Sequence, residues 1–296
     1  MPIDFTQTIA GELGIHPGQV ARSIELFDAD NTVPFVARYR KEVTGGLDEV
    51  QLRTVLERLT YLRNLEERKQ TVLKSVDEQG KLTDELRGRI QKAVTLQALE
   101  DLYLPYKPKR RTRATVARER GLEPLANIVL AQEEDGESLD ELAAPFISDE
   151  VPTVAEAYAG VNDIIAETVA EDADVRAHVR GRTRSEAWLI VSLADESKDP
   201  RGVYQVYYDY REKLEAIPPH RLLAINRGER EGVLKVKLDG PDEALINKLQ
   251  AQRVKNPRSS FTEIIRQAVA DGYRRLLAPS IENELRGELT GASDEH

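Results

Sequence analysis

Apolar side chains recur at helical spacing along most of the chain, with charged and polar residues at the intervening positions. The longest such stripe runs from Leu52 through Leu59 to Val76 and predicts a helix over about Leu47–Gln79. At ~1.5 Å per residue, this helix would be roughly 45–50 Å long. Three short helices are predicted before it, the third ending at the glycine pair Gly45–Gly46.

The pattern changes between residues 187 and 240. The segment AWLIVSLAD is short and apolar, VYQVYYDY is rich in Tyr and Val, and GVLKVKLDG alternates between apolar and charged positions. Alternation of this kind is typical of a half-buried strand, so a small sheet of two or three strands is predicted here. Helix then returns, with a capping box predicted at Ser260 and Glu263 and an interruption or kink at Pro279.

The predicted fold class is therefore mainly α, with several helices, one long central helix and a small two- or three-stranded β element near residues 187–240. Four parts are expected along the chain. They are a three-helix subdomain (1–46), a helical body with the long helix and a basic loop at 105–113 (47–186), a mixed segment with the small sheet (187–258) and a C-terminal helix (259–296).

Composition excludes several classes of protein. The 296 residues include no cysteine, so disulfides and thiolate metal sites are excluded. The first residues, MPIDFTQTIAGEL, lack the basic and apolar regions of a signal peptide. Because no apolar run approaches the ~18–20 residues that span a bilayer, no membrane partner and a cytoplasmic location are expected.

Charge is unevenly distributed along the chain, whose net charge is −10. Residues 122–175 include fifteen Asp and Glu and no Lys or Arg, and outside them 42 basic residues face 37 acidic ones. One interpretation is a basic side that faces a polyanion. The other is that the two portions neutralise each other within the fold.

The most basic stretch is LEDLYLPYKPKRRTRATVARERGL, residues 99–122, with seven Lys and Arg against three acids. Two prolines frame it and prevent a continuous helix. Its charges predict either contact with phosphates or a loop locked onto the fold. A second basic patch lies in VARYRKE, at residues 36–42. The candidate nucleic-acid-binding residues are Arg38, Arg40, Lys41, Lys107, Lys109, Arg110, Arg111, Arg113 and Arg118, with Tyr103 and Tyr106 as weaker candidates for stacking on bases.

No catalytic constellation is recognisable, and no cofactor or metal is expected. The four histidines lack metal-pair spacing, and no phosphate-binding glycine loop or nucleophile elbow is present. The acidic run Glu133–Asp135 lacks the spacing of an EF-hand and is interpreted as a solvated loop. Tyrosines between Tyr204 and Tyr210 form a third, weaker candidate for base stacking and are more typical of core. We therefore expect a protein that is not an enzyme.

Two long segments resemble the signature stretches of the bacterial Tex family of transcription accessory factors, which are related to eukaryotic elongation factors. They are VPFVARYRKEVTGGLDEVQLR and LEDLYLPYKPKRRTRATVARERGLEPLA. Further similar segments are YYDYREKLEAIPPHRLLAINRGEREGVLKVKL and LLAPSIENELRGEL. The resemblance extends in order over essentially the whole chain.

The resemblance implies a function in transcription through RNA or DNA binding. Family members are longer and continue into a resolvase-like domain, helix-hairpin-helix elements and an OB-fold module that binds RNA. The chain is thus similar to their N-terminal helical region alone, ending before the resolvase-like domain. The implied partners are RNA or DNA, transcription machinery and the C-terminal domains of the full-length family. The alternative function is a scaffold that docks onto that machinery or onto those domains.

Overall fold

The computed structural model describes residues 4–133 and 138–294. The chain divides into two compact units, Met1–Tyr106 and Lys107–His296. The fold is mainly α with a small antiparallel sheet, which confirms the predicted class. The finer division into four parts stays a prediction. Within the described ranges, no helix is long and apolar enough to cross a membrane.

The first unit is helical, and its longest helix matches the long apolar stripe of the sequence. This helix has 30 residues and begins after Asp48, whose side chain accepts a hydrogen bond from the Gln51 amide in a reciprocal capping box. The helices are α1 (Phe5–Leu13), α2 (Pro17–Asp28), α3 (Val33–Tyr39), α4 (Glu49–Glu78), α5 (Asp84–Lys92) and α6 (Leu96–Tyr103).

The core of this unit forms where α1, α2 and α3 pack on the N-terminal half of α4. It is built from apolar residues that are fully or almost fully buried, namely Ile9, Val20, Val36, Leu52, Val55, Leu59 and Leu62. The expectation that the third helix continues to Gly45 is wrong, because α3 ends at Tyr39 and a non-helical turn follows. In that turn the buried Thr44 hydroxyl donates to the Lys41 carbonyl, a local bond that competes with helix.

The central helix of the second unit is α10 (Val154–Glu171), whose Val161, Ile165 and Val169 are buried. This helix packs against α7, α8 and α14. The helices of the unit are α7 (Arg113–Glu119), α8 (Glu123–Ala131), α9 (Leu139–Ala143), α10 (Val154–Glu171), α11 (Ala173–Glu186), α12 (Pro219–Arg230), α13 (Asp242–Arg253), α14 (Thr262–Asp271) and α15 (Ala278–Asp294).

The sheet has three antiparallel strands in the order β2–β1–β3. They are β1 (Trp188–Leu193), β2 (Asp209–Lys213) and β3 (Leu234–Asp239). Within the alternating segment GVLKVKLDG, the residues LKVKLD form β3, as predicted. The segment VYQVYYDY is a strand only at its end, since Gln205–Tyr207 forms a 3₁₀ turn. The Asp199 carboxylate accepts hydrogen bonds from the Val203 and Tyr204 amides. These two amides therefore cannot pair with a neighbouring strand, and the chain turns here.

The last helical segment differs from its prediction at two points. Phe261 occupies the N-cap of α14 and no side chain caps it, so the capping box at Ser260 is wrong. Between α14 and α15 the helix widens into a π-helical segment, Gly272–Leu277, which ends two residues before Pro279. A proline cannot donate to a carbonyl in the preceding turn, and a wide turn there accommodates that loss.

Candidate nucleic-acid interface

The first predicted basic patch lies around a surface cleft at the end of α3. We call it the α3 cleft. Its volume is about 750 Å³, and it is lined by Arg38, Tyr39, Arg40, Lys41, Glu42, Val43, Gly45 and Gly46. All three predicted cations of the patch are therefore brought together within one concave surface of the first unit.

The turn that closes this cleft is fixed by glycines and by α2. Gly45 and Gly46 adopt φ of 66° and 86°, a left-handed conformation that favours glycine. The Gln19 side chain on α2 donates a 2.9 Å hydrogen bond to the Gly45 carbonyl. The same glutamine completes the capping box of α2 with His16, so its position is set by the helix start. The basic turn is thus anchored to a helix.

The α3 cleft carries three cations and one carboxylate, that of Glu42. Arg38, Arg40 and Lys41 are exposed, and in the described part of the chain no carboxylate forms an ion pair with them. Arg40 lies 5.7 Å from the centroid of the Phe35 ring, the geometry of a cation–π contact. Tyr39 is 63% exposed and its ring centre is 5.3 Å from that of Phe35. In such an arrangement the exposed cations can contact phosphates, and the exposed aromatic pair can stack on neighbouring bases.

The second predicted patch, the loop from Lys107 to Arg113, belongs to the second unit and is partly tied to α10. The Lys109 ammonium lies 2.6 Å from a Glu171 oxygen and 3.7 Å from a Glu167 oxygen, both on α10. Arg118 on α7 reaches the same Glu167 at 2.6 Å. Since both carboxylates belong to the acidic block, internal neutralisation holds for these two cations.

Glu167 is the carboxylate shared by Lys109 and Arg118, and it is only 5% exposed. Besides Arg118, the Thr112 hydroxyl donates to it at 2.9 Å, and Thr112 also caps the start of α7. Burial alone would raise the pKa of Glu167, but the hydrogen bonds from Arg118 and Thr112 and the charge of Lys109 outweigh it, so its pKa is lowered. Burial raises the pKa of Glu171 in spite of its hydrogen bond from Lys109.

The other cations of the loop face solvent. Arg111 pairs with Glu119 at 2.8 Å, but both side chains are more than half exposed, and such pairs contribute little. Arg110 and Arg113 are exposed and, among the described residues, have no carboxylate within ion-pair distance, although the charge of Arg113 acts on Asp163 and Asp271. Lys107 is also exposed. The loop therefore combines cations that are paired with α10 and cations that are exposed at the surface.

The predicted stacking tyrosines differ in accessibility. Tyr103 is 7% exposed, its hydroxyl lies 3.0 Å from the Ser75 hydroxyl, and Arg68 covers its ring. Its ring is thus part of the packing between α4 and α6. Tyr106 is half-buried in the 3₁₀ turn that follows α6.

Tyrosines of the third candidate segment bond internally. The hydroxyls of Tyr204 and Tyr208 donate to Glu231 and Asp199, at 2.8 Å and 3.0 Å. Tyr204 is buried, and Tyr207, Tyr208 and Tyr210 pack against the core of the second unit. These contacts agree with the interpretation of the segment as core.

Within residues 4–133 and 138–294, no cluster of three or more acidic or histidine side chains could hold a metal ion. Of the acidic run at 133–135, Glu134 and Asp135 lie outside the described residues. The sequence indicates the cations of both patches but not the partners that distinguish them, because Glu167 and Glu171 follow Lys109 by about sixty residues.

The contacts of Glu167 with Arg118, Thr112 and Lys109 predict a specific pH dependence of stability. Glu167 has a lowered pKa in the folded state, so its stabilising contribution is present above its unfolded pKa of about 4.3 and is lost as pH falls through the folded value. Glu167→Gln should lower the free energy of unfolding by about 1–3 kcal/mol at pH 7, and the difference from wild type should shrink towards pH 3.5. Urea unfolding at both pH values measures it.

Glu171→Gln is the matched control for this measurement. Because the pKa of Glu171 is raised in the folded state, its contribution to stability falls as pH rises through that value. The cost of Glu171→Gln relative to wild type should therefore not shrink towards pH 3.5 as that of Glu167→Gln does. Parallel pH profiles for the two variants would contradict the described electrostatics.

Comparisons with known proteins identify a family of transcription accessory proteins. Residues 3–77 match the Tex-like protein N-terminal domain, and residues 135–296 match the Tex central region-like domain. The chain therefore belongs to the Tex family, which confirms the resemblance of its sequence segments.

Three relatives illustrate the range of similarity. The chain is 44% identical over 293 residues to the uncharacterized protein YdcI of Bacillus subtilis, covering 98% of this chain and 40% of the relative. It is 43% identical over 277 residues to the Transcriptional accessory protein Tex of Neisseria gonorrhoeae, covering 93% and 35%. It is 30% identical over 306 residues to the human S1 RNA-binding domain-containing protein 1, covering 98% and 30%. The chain thus spans less than half the length of these relatives.

Proposed function

We propose that this chain is a nucleic-acid-binding region of a Tex-type transcription accessory factor, and that it acts by binding rather than by catalysis. The observation that supports this most directly is the α3 cleft. Three cations that form no ion pair within the described residues line it beside the exposed Tyr39, against a single carboxylate, that of Glu42. In a chain with a net charge of −10, such a concentration of free positive charge favours a polyanion as ligand. Family relatives named for transcription and for RNA binding agree with this proposal.

The proposal predicts that Arg38→Gln, Arg40→Gln and Lys41→Gln together weaken binding to RNA or DNA. Each lost phosphate contact should reduce the dependence of log K on log salt by about 0.7–0.9, so the triple variant should lose a slope of about 2–3. Fluorescence anisotropy with labelled single- and double-stranded RNA and DNA, from low salt upwards, measures both quantities. Because the three side chains are exposed, the variant should fold like wild type, and circular dichroism checks this.

The matched control removes three exposed cations of the same unit outside the cleft: Arg53→Gln, Lys74→Gln and Lys81→Gln. This variant has the same net charge as the cleft variant, so a purely global charge effect would weaken both equally. Arg110→Gln with Arg113→Gln tests the solvent-facing part of the loop in the same titration. Equal affinities for wild type and the cleft variant would contradict the proposal.

The alternative function is docking onto transcription machinery or onto further domains of a longer Tex protein. It is favoured by two apolar side chains near the sheet, Val203 and Val206, which are 65% and 74% exposed. This function predicts capture of a purified Tex C-terminal region by the wild-type chain, and loss of that capture in Val203→Ser with Val206→Ser. The charge variants of the α3 cleft would leave that capture unchanged.

A further inference from the structure

The three-stranded sheet of the second unit has one face in the core and one face in solvent. Leu189, Val191 and Val236 point into the core and are almost fully buried. Alternation along each strand places the other residues on the opposite face. The strand register arranges that face in three rows, Lys213–Trp188–Asp239, Arg211–Ile190–Lys237 and Asp209–Ser192–Lys235.

Positive charge dominates this face, with four cations and two carboxylates. Lys235 and Lys237 on β3 are exposed, and among the described residues neither has a carboxylate within ion-pair distance. Arg211 and Asp239 are 3.5 Å apart, but both side chains are more than half exposed, so solvent screens their attraction. The lysines therefore present charge that nothing in the described chain neutralises.

A flat apolar centre lies between these cations. Trp188 and Ile190 of the central strand are partly exposed. The Arg211 guanidinium carbon lies 4.4 Å from the centroid of the Trp188 ring, and the Lys213 ammonium lies 4.8 Å from it. Both aromatic rings and guanidinium planes are surfaces on which unpaired bases stack. The stacked pair of Arg211 and Trp188 thus offers a platform beside the phosphate-binding lysines.

We propose that the exposed face of β1–β3 binds single-stranded RNA. Lys235 and Lys237 contact phosphates, and bases lie over Arg211, Trp188 and Ile190. A duplex hides its base faces, so a flat platform of this kind selects unpaired strands. The Ser192 hydroxyl and the Asp209 carboxylate lie on the same face and can accept hydrogen bonds from ribose 2′-hydroxyl groups, which DNA lacks.

A different role for the lysines makes a distinct prediction. Charged residues on edge strands also protect sheets from pairing with other chains, and β3 is an edge strand. If Lys235 and Lys237 served only that purpose, their loss would promote aggregation without changing RNA binding. Measuring RNA affinity and association state on the same samples separates the two roles.

Trp188 is the single tryptophan of the chain, so intrinsic fluorescence reports directly on this face. The full chain is titrated with a single-stranded oligoadenylate of about ten nucleotides, within the site sizes known for single-strand binding. We expect the single-stranded RNA to quench the Trp188 fluorescence saturably. The deoxy oligomer of the same sequence should bind more weakly, and a duplex RNA should not quench the fluorescence. Lys235→Gln with Lys237→Gln should lower the affinity about tenfold while light scattering stays unchanged.

The control variant removes two exposed lysines elsewhere in the same unit, Lys248→Gln and Lys255→Gln, and should bind like wild type. The α3 cleft variant should retain the Trp188 quenching, so this proposal and the proposed function of the cleft can fail separately. Absent quenching, equal quenching by the duplex or by DNA, or unchanged affinity in Lys235→Gln with Lys237→Gln would each overturn the assignment of single-stranded RNA to this face.

Discussion

Replacing Glu284 with alanine is expected to lower the free energy of unfolding by about 3–5 kcal/mol. Arg176 and Arg180 on α11 are only 4% and 7% exposed, and both donate to the Glu284 carboxylate on α15. Arg180 does so through two nitrogens, at 2.9 Å and 2.7 Å. Without the carboxylate, two buried guanidinium groups lose the counter-charge that they share, although Arg176 still donates to the Ala170 carbonyl and the Ser280 hydroxyl. Urea unfolding at pH 7 measures the effect.

Glu288→Ala provides a control for this prediction on the same helix, one turn away. Glu288 also pairs with an arginine of α11, but both Glu288 and Arg184 are about half exposed. An exposed pair contributes about 0–1 kcal/mol, so the control should unfold close to wild type. Glu284→Gln, which keeps an acceptor of the same size, should lie between the two and provides a measurement if the alanine variant does not fold. Equal losses for Glu284→Ala and Glu288→Ala would show that burial does not set the strength of the pair.

The contact between α11 and α15 also positions the proposed RNA-binding face. α11 ends at Glu186, and β1 begins two residues later at Trp188. From the other side, the Glu282 carboxylate on α15 accepts a 3.1 Å hydrogen bond from the Leu238 amide of β3. Both the central strand and one edge strand are therefore held by the same helix pair, so Glu284 stabilises the support of the sheet rather than its exposed surface.

Elements with a strong local pattern could be predicted from the sequence. The stripe from Leu52 to Val76 and the alternation around Val236 each reflect one-sided burial, and the structure places α4 and β3 there. The segment around Tyr204 could not be predicted in the same way. Its conformation depends on Asp199, which accepts two backbone amides, and on the hydroxyl contact of Tyr204 with the distant Glu231.

The candidate interface likewise has parts that local sequence predicts and parts that depend on distant contacts. The cluster at Arg38 is local in sequence, so composition alone indicated its charge. Whether a cation is available to a ligand depends on partners that the fold brings from far away, as Glu167 does for Arg118. The sequence predicted that Lys235 and Trp188 lie in strands but not that they share a face, because a common face depends on the register of β1 with β3. Local sequence therefore indicated charge, and the fold determined its availability.

The second large effect is expected at Gly272, the first residue of the π-helical segment. Its φ and ψ, −57° and −42°, are ordinary helical values, so backbone freedom does not require glycine there. Space does, since an added Cβ would lie 2.6 Å from the Ala166 carbonyl oxygen and 3.0 Å from the Ala166 Cα. Both are backbone atoms within α10 and cannot yield by a change of rotamer. Gly272→Ala should therefore cost about 3 kcal/mol, the upper range for overpacking.

Gly287→Ala on α15 makes the prediction for Gly272 a test of sign as well as of size. No atom lies within 4 Å of a Cβ added at Gly287, and the residue is exposed in a helix interior. Alanine is favoured over glycine by up to about 1 kcal/mol in such a position, so this variant should be stabilised. Thermal and urea unfolding of the two variants should shift in opposite directions. A shift of Gly272→Ala in the same direction as Gly287→Ala would mean that α10 and the π-helical segment separate readily, and that their close approach does not define the core.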